Sequence, residues 1–305
     1  MLLIIAAIAL SSAAGIAAER RWPDRAGPAS RRPLLLVLYL VLPPVTFFNL
    51  TRVDFDADIA GGIGLGLVAT ALAASAAWAV GAKLLRLPRP QTGAMIACTL
   101  VANTAYLGYP MTAALLGSDR VGEAVAYDVG VGAPALLLGA FATGAAFGTR
   151  AGTGMRERTG SFFARNLPLY AGIAALFAPD SLAPDVLVDI SRVVVVIILP
   201  VGFFAVGATL AEQADEEGLR LPPPITRSTV GVAGTKLLLL PGILYALSLP
   251  LIDLPGTYAL MAAMPSGLNS MIVSHAYGLD LATTAEAISW TTALVVVVAL
   301  VVSLL

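Results

Sequence analysis

The chain has 305 residues, of which 58% are hydrophobic and 12% charged, with a mean hydropathy of +0.87 and a formal net charge of −1. A soluble domain carries roughly 25% charged residues and a disordered segment needs low hydrophobicity with high net charge, so both classes are excluded. A single cysteine, Cys98, and a single histidine, His275, leave no disulfide framework and no His/Cys metal set, and 18 basic against 19 acidic residues leave no basic face for nucleic acid, so neither metal nor cofactor is expected.

About 20 mostly apolar residues cross the hydrocarbon core. Ten such runs lie between charged clusters, at about 1–18, 33–51, 59–82, 92–116, 122–148, 166–178, 186–210, 228–248, 257–277 and 282–304. The gaps between them are too short for a soluble domain. The runs are continuous rather than alternating, which specifies helices and not an outer-membrane barrel. The first run ends in small residues like a signal peptide, but it lacks a basic start and is followed by Arg20, Arg21, Arg25, Arg31 and Arg32, so it is expected to stay as a span. Loops after the odd-numbered runs hold 14 Lys and Arg, and the opposite loops hold only Arg52, Arg120 and Arg192. The positive-inside rule then sets both termini outside, in the plasma membrane.

An internal repeat runs through these spans. Pro44-Val45-Thr46-Phe47-Phe48 matches Pro200-Val201-Gly202-Phe203-Phe204, and Pro110 matches Pro265 at nearly the same offset. The chain thus divides into two five-span halves, 1–150 and 160–305. Because five is odd, the second half enters the membrane from the opposite side, the inverted-repeat plan of secondary transporters. Such plans place substrate at interrupted helices. The fourth run carries Asn103, Thr104, Gly108, Tyr109 and Pro110; the ninth carries Pro265, Ser266, Gly267 and Asn269. Proline and glycine there predict breaks whose freed amides suit a carboxylate.

The stretches Asn103-Thr104-Ala105-Tyr106-Leu107-Gly108-Tyr109-Pro110, Lys236 to Pro241, Met264-Pro265-Ser266 through Asn269, and Ala276-Tyr277-Gly278-Leu279-Asp280, in that order, resemble the auxin efflux carrier family of bacterial and plant permeases. The resemblance implies an all-α polytopic membrane protein of ten transmembrane helices in two inverted five-helix repeats, with broken helices four and nine crossing at Pro110 and Pro265. It also implies elevator-like transport of small organic anions such as auxin-like indole acids or dicarboxylates, with Asn103 and Asn269 as ligand contacts. The long hydrophilic central loop of the plant carriers is missing, so the bacterial permeases are the nearer comparison.

Ionisable residues inside spans are costly and are weighed individually. Lys236 lies mid-span, where it either forms an ion pair with a carboxylate such as Asp128 or attracts an anionic substrate. Asp128 is a candidate proton or ion carrier, and so is His275, although a lone histidine at a span end is also an ordinary interfacial side chain. Glu123 and Glu286 are expected at the interface, and the Gly61 to Gly66 run is expected to serve helix packing. An ion-coupled symporter of the bile-acid/sodium type with the same inverted repeats is the alternative. An intramembrane protease built on Asp128 and Asp280 is disfavoured, because Asp280 falls in a loop, and no enzyme is expected. The lipid bilayer and the anion are the partners, with a homodimer as a further partner to test. Cysteines placed at Arg31 or Arg156, in a chain whose Cys98 is replaced, should be shielded from an impermeant thiol reagent in intact cells while one at Asp56 is labelled; equal labelling would reverse the orientation.

Overall fold

The computed structural model describes residues 2–22, 36–149, 167–197, 199–216 and 223–304. Among these the regular structure is helical. Helix α1 (Leu2–Arg21) is followed by α2 (Leu42–Thr51), α3 (Ala57–Trp78) and α4 (Arg89–Leu100), which stops short of α5 (Tyr109–Leu115). Next come α6 (Val121–Tyr127) and α7 (Phe141–Phe147), joined by π-helical turns, then α8 (Leu167–Leu176), α9 (Asp185–Ile197) and α10 (Leu199–Glu216). The chain continues with α11 (Arg227–Ala233), α12 (Leu240–Ser248), α13 (Gly256–Ala262), α14 (Asn269–Tyr277) and α15 (Leu281–Leu304). Among the described residues, five helical stretches are long and apolar enough to cross a bilayer, Ala57–Leu84 and Ser118–Phe147, of 28 and 30 residues, among them. Leu138 and Leu238, 73% and 75% exposed, point outward from such stretches. With Leu67, Val68, Leu72 and Leu84 also exposed along Ala57–Leu84, the outer face is a continuous apolar patch of the kind hydrocarbon covers. The arginines at 25, 31, 32, 150, 156, 158, 165 and 220 lie outside the described residues.

Side chains cap the starts of α3, α11 and α15, satisfying amides that have no intrahelical acceptor. Asp56 accepts from the Ile59 amide at 2.8 Å and opens α3. Asp280 accepts from the Thr283 amide at 2.7 Å and opens α15, and Thr226 with Thr229 forms a capping box at α11. These polar ends gather at two poles. At one, Arg52 donates to Asp185 at 2.7 Å and the Asp253 amide donates to Asp58 at 3.2 Å. At the other, Arg89 Nε donates to the Ala146 carbonyl at 3.0 Å and Trp290 Nε1 to the Pro223 carbonyl at 3.0 Å.

Among the described residues, four of the six π turns precede prolines. Val37–Val41 leads into Pro43, Thr104–Gly108 into Pro110, Asp128–Gly132 into Pro134 and Gly234–Leu239 into Pro241. Proline has no amide to donate and its ring crowds the carbonyl four residues back; a wider turn relieves that clash without ending the helix. Pro110 is therefore carried within a helical stretch, and the expected break at Pro110 is corrected on this point.

Packing divides the helices into two groups. In one, α1 lies along α10 and α8 along α2, with α9 also against α2. In the other, α3 packs on α4 and α12, α4 on α7, α11 and α15, and α14 on α7 and α15. Small residues set the spacing. Gly15 lies against the Phe204 carbonyl and Gly207 against that of Ser12, so the backbones of α1 and α10 nearly touch. In the 61–66 run, a Cβ on Gly62 would stand 2.5 Å from the wholly buried Tyr258 ring, whereas one on Gly64 would meet nothing within 4 Å. Gly62→Ala should therefore destabilise the folded protein by about 1–3 kcal/mol through overpacking, and Gly64→Ala should stabilise it by up to about 1 kcal/mol. Thermal unfolding in detergent reads both, and equal shifts would remove the packing account.

Candidate functional site

Two interrupted helices meet at the centre of the second group. Helix α4 ends at Leu100 and α13 at Ala262, and the extended pieces that follow pair with one another. The Asn103 amide donates to the Pro265 carbonyl at 2.8 Å, and the Gly267 amide donates to the Val101 carbonyl at 2.9 Å. Ala102 and Ser266 form an antiparallel bridge between them. Exchanging 101–103 with 265–267 turns each bond into the other, so the pairing has local two-fold symmetry. Side chains complete it: the buried Ser266 donates its amide to Thr291 Oγ1 at 3.1 Å and its hydroxyl to the Cys98 carbonyl at 2.9 Å. Glycine is required at 267, where a Cβ would lie 2.7 Å from the Ala102 carbonyl oxygen. The crossing thus joins Val101 to Pro265. It is not a meeting of Pro110 with Pro265, since Pro110 lies beyond the break in the helix that leads away.

Past the break, Thr104 and Tyr109 hold Asp128. The Thr104 hydroxyl donates to Oδ1 and the Tyr109 hydroxyl donates to Oδ2 at 2.7 Å. Tyr109 is wholly buried and Asp128 half-buried. Both donors lie on the stretch 104–115, so the carboxylate fastens that half-helix to the 118–147 stretch.

Lys236 is 1% exposed. With Thr104, Thr70, Tyr127, Ala102 and Met261 it lines a cavity of about 10 Å³, the room one water centre needs. Its ammonium takes part in no ion pair or hydrogen bond among the described residues. The expected pair with Asp128 is not formed; Asp128 is held instead by Thr104 and Tyr109, and Lys236 makes no ion pair with it. A buried cation without a counter-ion is costly unless something else neutralises it.

The remaining expected residues separate. Asn103 and Ser266 are buried at the crossing, and Gly108 lies against Met261, whose sulfur would be 2.7 Å from a Cβ. Asn269 and His275 are exposed on α14, away from the cavity lining. Glu286, expected at the interface, is instead buried, accepting from Thr229 Oγ1 at 2.7 Å and from Thr226, and so ties the start of α11 to α15. Glu123 pairs with Arg120 at 2.6 Å beside a pole. Thr70 and Tyr127 were not anticipated. Thr70 continues the buried stripe Gly62, Gly66 at steps of four along α3, a pattern visible in the sequence.

Over 144 residues, 46% of this chain, the sequence is 24% identical to an uncharacterized transporter of Methanocaldococcus jannaschii. The match takes in 45% of that protein, so it spans under half of its length. No protein-family profile matches the chain. The apolar helices and this relative together support a membrane-embedded transporter.

Gly267→Ala should force the two backbones apart and cost about 1–3 kcal/mol, whereas Pro110→Ala should leave the folded protein as stable as the parent or more so. Thermal unfolding that penalised Pro110→Ala as heavily as Gly267→Ala would return the crossing to Pro110.

Proposed function

We propose that the chain is a secondary transporter of small organic anions, of the kind carried by auxin efflux permeases, working by elevator-like alternating access. In this reading ten transmembrane helices form two inverted repeats, 1–150 and 160–305, with both termini outside the plasma membrane. The observation that carries it is Lys236, a buried ammonium without a described partner, facing a cavity beside two crossed, broken helices. An anion's carboxylate supplies the missing counter-charge. The free amides at the start of the 104–108 turn add positive potential from the same side.

Reciprocal packing supports the inverted repeats. The contact of α1 with α10 is mirrored by that of α8 with α2, and the contact of α4 with α15 by that of α13 with α6. The local two-fold at 101–103 and 265–267 is related in the same way. The cavity, at the size of one water, is far smaller than an indole acid or dicarboxylate, so this reading requires a conformation in which the surrounding helices have moved. Proteolysis gains no support, since Asp280 caps Thr283 and Asp128 is held by Thr104 and Tyr109; the two do not share a proton.

A thermal-shift screen of the purified protein against indole acids, malate and malonate identifies the ligand. Lys236→Ala should then weaken its binding at least tenfold, about 1.4 kcal/mol, while the protein stays monodisperse. Lys236→Arg should restore binding only in part, since a fork does not replace a point charge. Unchanged binding by Lys236→Ala would remove this site from the proposal.

A further inference from the structure

From the arrangement of Asp128, Thr104 and Lys236 we infer that one proton accompanies each bound carboxylate, with the Thr104 hydroxyl as the relay between them. The inference rests on the transport reading above and adds the coupling to it. Asp128 and Lys236 are the charged side chains at the cavity: Lys236 in its lining and Asp128 directly behind Thr104. Their charges sum to zero, so a bound carboxylate leaves an excess negative charge in a water-poor space, and one proton on Asp128 cancels it.

The hydrogen-bond inventory says what that proton does. With Asp128 ionised, both oxygens accept, Oδ1 from Thr104 and Oδ2 from Tyr109. Thr104, which itself lines the cavity, then spends its only hydroxyl proton on Asp128 and shows the cavity lone pairs. A proton added to Oδ1 reverses that bond: the carboxyl O–H donates to Thr104 Oγ1, and the threonine's own proton turns to an acceptor in the cavity. Tyr109 keeps its bond to Oδ2 throughout. Thr104 thus opposes an anion when Asp128 is charged and donates to it when Asp128 is neutral. Proton and carboxylate then favour each other reciprocally.

The other titratable or charged groups on elements against Asp128 are Tyr106 and Tyr109 on the half-helix, Tyr127 one residue before it, Glu123 at the start of the same stretch, where it is paired with Arg120, and Asp58 in the first turn of α3. Asp58 lies at the pole, bonded to the Asp253 amide. The tyrosines do not change charge near neutral pH, so the proton falls to Asp128 or to Lys236 itself, and the Asp128→Asn variant separates the two.

Isothermal titration of the purified full chain in detergent with two monocarboxylates, indole-3-acetate and phenylacetate, in two buffers of unlike ionisation enthalpy, counts protons taken up per anion bound. The parent should take up about one on the alkaline limb, where Kd should weaken about tenfold per pH unit. Asp128→Asn should bind with no proton uptake and a pH-independent Kd. Thr104→Val should bind more weakly with most of the pH dependence gone, and Thr104→Ser should recover it. Binding by the parent without proton uptake overturns the coupling and leaves the transport reading standing. Thr104→Val as pH-dependent as the parent overturns the relay. If the parent binds neither anion at millimolar concentration, the transport reading fails and takes this inference with it.

Discussion

The pair of backbone hydrogen bonds between 101–103 and 265–267 is the constraint on which the site depends. Hydrocarbon offers no water to an interrupted helix, so every freed amide and carbonyl needs a partner within the protein. Here each broken chain supplies a partner to the other, Thr291 accepts from the Ser266 amide and the Ser266 hydroxyl donates to the Cys98 carbonyl, while the amides that open the 104–108 turn are left for a ligand. The close approach depends on glycine at 267, since a side chain there would stand in the Ala102 carbonyl. Once the crossing is fixed, the 104–115 stretch leaves it with Thr104 at its start, and the position of Thr104 in turn fixes Asp128.

The three polar groups of the site share a local feature. Thr104, Asp128 and Lys236 each lie in a π turn, at 104–108, 128–132 and 234–239, and each turn precedes a proline. A π turn inserts an extra residue and widens the helix, and such turns are common at functional sites. The prolines explain why the turns persist: an ordinary α turn would bring the ring against a carbonyl and leave that carbonyl unbonded. The same residues that relieve a backbone clash therefore shape the walls of the cavity.

Much of this was legible in the sequence, because charged clusters in so apolar a chain mark where helices end, and helices occupy the expected runs wherever residues are described. The interruptions in the fourth and ninth runs were also legible, from glycine, proline and asparagine. Their positions were not. Proline alone suggested a break at Pro110, but a break depends on whether the preceding turn can widen, and that is a matter of tertiary packing. Asn269 illustrates a second gap: its neighbours Gly267 and Ser270 are buried, yet one residue's rotation on the helix leaves it exposed. Glu286 illustrates a third, because its burial depends on hydroxyls from α11, nearly 60 residues away in sequence. Long-range partners of that kind leave no local pattern.

The division into two helix groups bears on how an anion would be moved. Thr104, Asp128 and Lys236 all belong to the group built around the crossing, on the stretches 104–115, 118–147 and 227–248. The group of α1, α2, α8, α9 and α10 meets it through apolar packing, Leu50 and Phe203 sharing one core with Leu107 and Met111, and through close contacts of small residues, such as Gly202 against the Tyr106 ring and Gly122 against the Asn49 carbonyl. Contacts of that kind carry little directional bonding, so a sliding displacement costs less there than within the crossing, where backbone hydrogen bonds would have to break. A rigid shift of one group against the other would carry the ammonium, the carboxylate and the relay hydroxyl together, keeping their mutual bonds while changing the side from which the cavity is reached. For the proposed transport, this makes the elevator-like motion cheaper than one that parts the two broken helices.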